Sequence, residues 1–170
     1  MRSDALVVMS PKSMLRLRAA ASAVEDFTDK GFSPVLADPD GLDAGNVERV
    51  VLTAGKVYYD LLSARRKTEN GRVALVRVEQ LYPLPGEEVA DALAAYPNAT
   101  DIVWCQEEPA NQGAWSHIAL SLPEHLPEGR TLRRISRKAG ASPAAGSSKV
   151  HEAEQAGLIT AALGLEQPGA

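Results

Sequence analysis

Four short apolar runs, each followed or preceded by a stretch with helical spacing, constrain this chain more than any other feature. Arg49 to Thr53, Val73 to Val78, Ile102 to Cys105 and Leu132 to Ser136 have strand length, and the second is rich in β-branched residues. Ala54-Gly55 turns the first run into a helical pattern over Lys56 to Lys67. Glu87 to Tyr96 follows the second run, after Pro83 and Pro85, with acidic residues in the first turn where the helix dipole favours them. His151 to Leu163 reads as a closing helix. Strands alternating with helices need right-handed crossovers. The expected architecture is therefore α/β, a mostly parallel sheet with helices on both faces.

The N-terminal part has a different texture. Leu6 to Met9 reads as a short strand closed by Ser10-Pro11, with little chain before it, as if it were the tail of something longer. Met14, Leu17, Ala21, Val24 and Phe27 recur at helical spacing, predicting a helix over Ser13 to Thr28. Gly31 and Pro34 break that pattern, and Ser33 to Leu36 reads as a short extended piece. Residues 37–46 are acidic and turn-rich, which suits a linker. The expected organisation is an end piece plus linker over 1–46 and a folded domain over 47–170, with Glu166 to Ala170 frayed.

Composition narrows the function classes. With 170 residues, 45% of them apolar and 24% charged, the chain has room for one good core. A net charge of -4 gives no general reason to bind nucleic acid or a membrane surface. No apolar run is long enough to span a bilayer, and Ser10-Pro11-Lys12 interrupts the N-terminus before a signal-peptide core forms. One cysteine, Cys105, excludes an internal disulfide and a cysteine metal cluster, which fits a reducing, cytoplasmic setting.

In open α/β sheets, ligands favour the loops at the carboxyl ends of strands. Thr53-Ala54-Gly55-Lys56 is either an anion-holding turn or a plain strand-to-helix turn, and it lacks P-loop glycine spacing. Arg77, alternating with apolar neighbours, needs a partner, either Glu79 or Glu107. The stretch from Trp104 to Trp115 crowds carboxylates, amides and indoles around one strand end. Glu107 and Glu108 are adjacent on an extended segment and point to opposite faces, so they do not read as a catalytic pair. A polar network tying loops or subunits together is the more economical reading, with Cys105 as inert core. Arg130, Arg133, Arg134, Arg137, Lys138 and Lys149 form a basic segment with no acid between them. It serves either a phosphate-bearing ligand or acidic partner, or as a charged, protected strand edge. His117, His125 and His151 lack metal-ligand spacing, and no catalytic set emerges.

Five blocks in order carry a family resemblance: VVMSPKSMLR (7–16), VVLTAGKVYYDL (50–61), VALVRVEQLYPLP (73–85), VWCQEEPANQGAW (103–115) and RRISRKAGASPAAGSSKVHEAEQ (133–155). The chain from Val47 to Leu163 resembles the C-terminal domain of the 2-oxoglutarate dehydrogenase E1 component, actinobacterial type, in the transketolase-like superfamily. The first block resembles the passage from that family's pyrimidine-binding domain into its linker. The resemblance implies a three-layer transketolase C-terminal-like domain. It also implies a parent enzyme that decarboxylates 2-oxoglutarate on thiamine diphosphate with Mg2+ and passes succinyl to the lipoyl group of E2, with E3 in the same complex. The GDG…N magnesium-diphosphate motif is absent from this sequence. The implied role of the chain is thus packing and dimerisation, with no catalytic or cofactor site of its own. Gln106, Glu107, Glu108, Asn111, Gln112, Gly113 and Trp115 would form the interface or active-site rim. An acyl-CoA regulatory site known among such relatives makes Lys12, Arg16, Lys56, Gln80, Arg134, Arg137 and Lys149 candidate anion contacts. Glu87 and Glu88, standing where those relatives are basic, would repel a CoA phosphate.

Overall fold

A computed structural model describes residues 7–8, 10–29 and 31–165. The chain divides into two compact units, residues 1–32 and 33–170. The tail from residue 166 onward, expected to fray, lies outside the described residues, as do Leu6 and Met9 of the expected first strand. Val7 and Val8 are exposed and belong to no strand.

The helix expected over Ser13 to Thr28 is broken into pieces. Two 3-10 turns, Lys12–Arg16 and Arg18–Ala20, precede a short helix α1, Val24–Thr28. Leu17, Ala21 and Ala23 are extended at the joints. None of these pieces buries a residue, and a helix with no packed face pays its nucleation cost without return. The apolar spacing was real, but spacing alone does not hold a helix together.

The second unit is built on five strands: β1 Val35–Leu36, β2 Arg49–Thr53, β3 Val73–Val78, β4 Asp101–Pro109 and β5 Thr131–Arg137. Their order across the sheet is β1-β3-β2-β4-β5, parallel throughout except for β1, which runs antiparallel to β3. β2 and β3 are buried on both faces, as a central parallel strand requires, and so is β4 from Ile102 to Gln106.

Four helices cover the sheet. α2 Val57–Lys67 and α5 Ser148–Leu163 lie on one face, where Val57, Leu61, Leu158 and Leu163 pack with Val51, Leu75 and Val103. α3 Gly86–Ala94 and α4 Trp115–Ser121 lie on the other, where Val89, Leu93 and Ile118 pack with Val50, Leu52, Val76 and Trp104. This is the expected α/β three-layer arrangement. α4 and the 3-10 turn Pro123–His125 were not anticipated.

Residues 37–46, expected as a linker, are docked. Arg65 of α2 is 2% exposed and pairs with Asp38, whose side chain is 1% exposed. Asp38 also accepts the Leu75 backbone N–H at 2.7 Å, and Asp40 accepts from both Arg65 and Arg66. Leu42 and Ala44 pack against the core. At the opposite end of the sheet, Arg49 pairs with Asp101 at 2.6 Å and donates to the carbonyls of Ala161 and Ala162, capping the end of α5.

Candidate functional site

The strand order fixes where a site can be. From β2 the chain steps to β3 on one side, then crosses back to β4 on the other, so a crevice opens between the carboxyl ends of β2 and β4. Lys56, just beyond β2, and Glu107, near the end of β4, meet there. The Lys56 ammonium lies 2.8 Å from Asp60 Oδ2 and 3.2 Å from Glu107 Oε1. Gln155 of α5 donates its Nε2 to the same two carboxylate oxygens, at 2.9 Å each. Burial works against the charge on Lys56, but the hydrogen bond to Asp60 and the charge of Glu107 outweigh it and hold the ammonium above its ordinary value. The result is a closed polar ring joining α2, β4 and α5. It contains a fully charged lysine already satisfied by two carboxylates, which is neither a free anion receptor nor a neutral base.

One residue inward, Gln106 organises the loop that follows. It is 3% exposed. Its Oε1 accepts from the Trp104 indole N–H at 2.9 Å and from the Trp115 backbone N–H at 3.0 Å. Its Nε2 donates to the carbonyls of Gln112 at 2.7 Å and Pro109 at 3.3 Å. The turn closes through Gly113 at φ +71, a conformation in which a Cβ would stand 2.8 Å from Gln106 Nε2 and 2.9 Å from Glu108 Cβ. Asn111 exchanges two hydrogen bonds of 3.0 Å with the backbone of Gly140, and Gln112 adds one of 3.2 Å to the same carbonyl. The loop is thereby tied to the segment after β5.

The basic segment is largely occupied within the fold. Arg130 donates to the carbonyls of Leu93 at 2.7 Å and Tyr96 at 3.1 Å, at the end of α3. Arg133 pairs with Asp101 at 2.7 Å. Arg134 donates to Ala110 O at 3.0 Å, with its guanidinium 5.2 Å from the centre of a Trp115 ring. Arg137 donates to the carbonyls of Glu107 and Pro143 and approaches Glu154 at 3.6 Å. These arginines satisfy carbonyls and carboxylates of the fold itself.

The structure thus gathers Lys56, Gln106, Glu107, Glu108, Asn111, Gln112, Gly113, Trp115, Arg134 and Arg137 around one strand end. Glu107 turns inward, whereas Glu108, Asn111 and Gly113 are exposed. Gln80 lies apart, donating to Pro83 O at 2.8 Å, and Lys149 is exposed in the first turn of α5. Lys12 and Arg16 belong to the first unit and are exposed. Arg77 takes Glu79 as its partner at 2.8 Å and also donates to Tyr59 Oη. Sequence reasoning missed Gln155 and the Arg65–Asp38 pair. Neither had a local signal, because each meets partners far away in the chain.

Chemically the arrangement holds a loop. Burial pushes the Cys105 thiol up to about 12, which leaves no nucleophilic thiolate near neutral pH. His117 donates its Nε2–H to Leu81 O, 2.8 Å away, and its Nδ1 stands 3.4 Å from Ser121 Oγ. Among the described residues, no group of three or more His, Cys, Asp or Glu is placed to hold a metal ion, and no helix is long and apolar enough to cross a membrane.

Comparison with known proteins gives a consistent picture. The family described as "2-oxoglutarate dehydrogenase C-terminal" matches residues 21–163. A "Multifunctional 2-oxoglutarate metabolism enzyme" from Mycobacterium sp. (strain JLS) is 48% identical over 164 residues. A protein of the same description from Mycolicibacterium vanbaalenii is 50% identical over 166 residues, and a "2-oxoglutarate dehydrogenase E1/E2 component" from Corynebacterium glutamicum 48% over 161. The matches cover 93–94% of this chain but only 13% of each relative.

Proposed function

Because this chain belongs to the 2-oxoglutarate dehydrogenase C-terminal family, we propose that it is the packing and dimerisation domain of a thiamine-diphosphate-dependent E1 component. In this reading the parent enzyme works in the tricarboxylic acid cycle in the cytoplasm. It decarboxylates 2-oxoglutarate oxidatively and transfers succinyl to a lipoyl-bearing E2, with E3 completing the complex. The cofactor and Mg2+ are held by other domains. The partners of this chain are the remainder of E1 and a second E1 subunit.

The observation that carries the reading is the loop from Glu107 to Trp115. Its backbone is locked by Gln106 and its tip leaves Glu108, Asn111 and Gly113 exposed, so a preformed rim faces outward. A rigid rim costs little ordering entropy on docking. The described residues at this crevice are a poor fit to Mg2+–thiamine diphosphate, which supports placing the cofactor in other domains. Mg2+ needs a near-octahedral set of oxygens, and the two carboxylates at the crevice are held by Lys56 and Gln155, which it would have to displace.

Calorimetric titration of the chain with thiamine diphosphate and MgCl2 tests the absence of a cofactor site, with no saturable heat expected. Micromolar binding would sink that part. Sedimentation equilibrium tests dimerisation, for which a reversible dimer is expected and a monomer at every concentration would count against it. The alternative, a stand-alone module for an acyl-CoA or other anionic metabolite, requires free cations. Of the candidate cations in the sheet domain, Lys56, Arg134 and Arg137 are already committed to groups of the fold and Lys149 alone is exposed, which makes it the weaker reading. Acetyl-CoA in a parallel titration separates the two.

A further inference from the structure

Between Arg77 and Arg130 the chain has no lysine or arginine, yet it has nine acidic residues, while the other 13 share the remaining sequence with all 18 basic ones. Three of the nine are neutralised locally: Glu79 by Arg77, Asp101 by Arg49 and Arg133, and Glu107 by Lys56. Glu87, Glu88, Asp91 and Glu124 are exposed, and a ring nitrogen of His125 lies 3.6 Å from the Glu124 carboxylate.

These carboxylates share a surface. Glu87 and Glu88 stand in the first turn of α3, and the His125 ring lies against Gly86 at its start, which brings Glu124 alongside. The Pro123–His125 turn continues directly from α4. His117 of α4 contacts Leu81 O, and its ring lies 5.9 Å from that of Tyr82. Tyr82 and Leu120, three residues beyond His117, are 82% and 84% exposed. Two exposed apolar side chains therefore stand on elements whose exposed charged groups are carboxylates, in a stretch of sequence without lysine or arginine. Neither feature stabilises the isolated fold, and together they describe a partner.

We propose that this face docks a basic protein segment, one carrying lysine or arginine on either side of an apolar side chain. The apolar side chain seats on Tyr82 and Leu120, the cations meet Glu87, Glu88, Asp91 and Glu124, and the Tyr82 ring offers a cation a π face. The same charge repels nucleic acid and anionic lipid. A second copy of this sheet domain also carries exposed cations, at Lys67, Lys138 and Lys149, and self-association is therefore read as a separate outcome of the test. This surface is separate from the Glu108–Gly113 rim and does not depend on the dimerisation reading.

The test is a 15N NMR titration of the full chain with a synthetic peptide of alternating lysine, arginine and leucine. Resonances of residues 82–91 and 117–124 are expected to shift. Affinity should fall about ten-fold or more when Glu87→Gln, Glu88→Gln, Asp91→Asn and Glu124→Gln are combined, and by a similar factor in Leu120→Ser. Should the neutralised variant fail to fold, the single exposed change at Leu120 carries the test. Shifts that map elsewhere, unchanged affinity in the variants, or equal binding of a peptide with serine in place of leucine would each overturn the proposal. Loss of self-association on neutralising the face would overturn it too, by making a second copy the occupant.

Discussion

The buried amide of Gln106 accepts from two N–H donors and reaches the carbonyls of Gln112, Pro109 and Glu108. Replacing it with leucine keeps the volume but strands the Trp104 indole N–H, the Trp115 N–H and the Gln112 carbonyl. Gln106→Leu should lower the unfolding free energy by about 3 kcal/mol, read from urea melts followed by tryptophan emission. Asp40 gives a pH signature. The hydrogen bond from Arg66, with Arg65 adding to it, outweighs burial and lowers its pKa from 3.8 to about 2. A depressed carboxylate contributes stability that is complete above about pH 4 and disappears as pH falls through 2. Asp40→Asn should therefore lower the urea midpoint at neutral pH and match the parent near pH 2, and a constant difference at both would refute the assignment. Cys105, with its thiol raised to about 12 and its side chain buried, should resist alkylation in the native protein at pH 8 and react once urea unfolds it. Of these residues, the sequence pointed to Gln106 and to an inert Cys105. Asp40 looked like linker chemistry, because its partners lie 25 and 26 positions away.

At the scale of elements, α2 is fastened at both ends. Lys56 and Asp60 join its first turns to β4 and α5, and Arg65 and Arg66 join its last turn to the segment carrying Asp38 and Asp40. Arg65→Ala would leave Asp38 buried beside nothing but backbone, which costs about 3–5 kcal/mol for a broken buried pair. Residues 33–40, including the two-residue β1, should then become a proteolysis site, and resistance equal to that of the parent would argue that β1 holds by its ladder alone. The strands and the helices α2, α3 and α5 were legible because burial on one or both faces leaves a period in the sequence. α4 left one as well, since Trp115, Ile118 and Leu122 fall at helical spacing, but the dense polar run before it masked the signal. The helix expected over Ser13 to Thr28 failed for the opposite reason: it has a period but, in its own unit, no buried face.

Across the whole molecule, two cores lie back to back on one sheet, and they are completed by chain segments far apart in sequence. α3 and α4 follow β3 and β4 closely, and with Leu132 of β5 the first core is closed by residue 132. The second core needs Leu158, Ala162 and Leu163 of α5, whose final carbonyls are held by Arg49 and Asn70 from the far side of the sequence. This asymmetry has a meaning in time. At roughly 5–20 residues per second, a ribosome takes about 2–6 s to go from the end of the first core to the end of α5. During that interval, the α2 face of the nascent sheet stands half covered, with Val51, Leu75 and Val103 waiting for their lid.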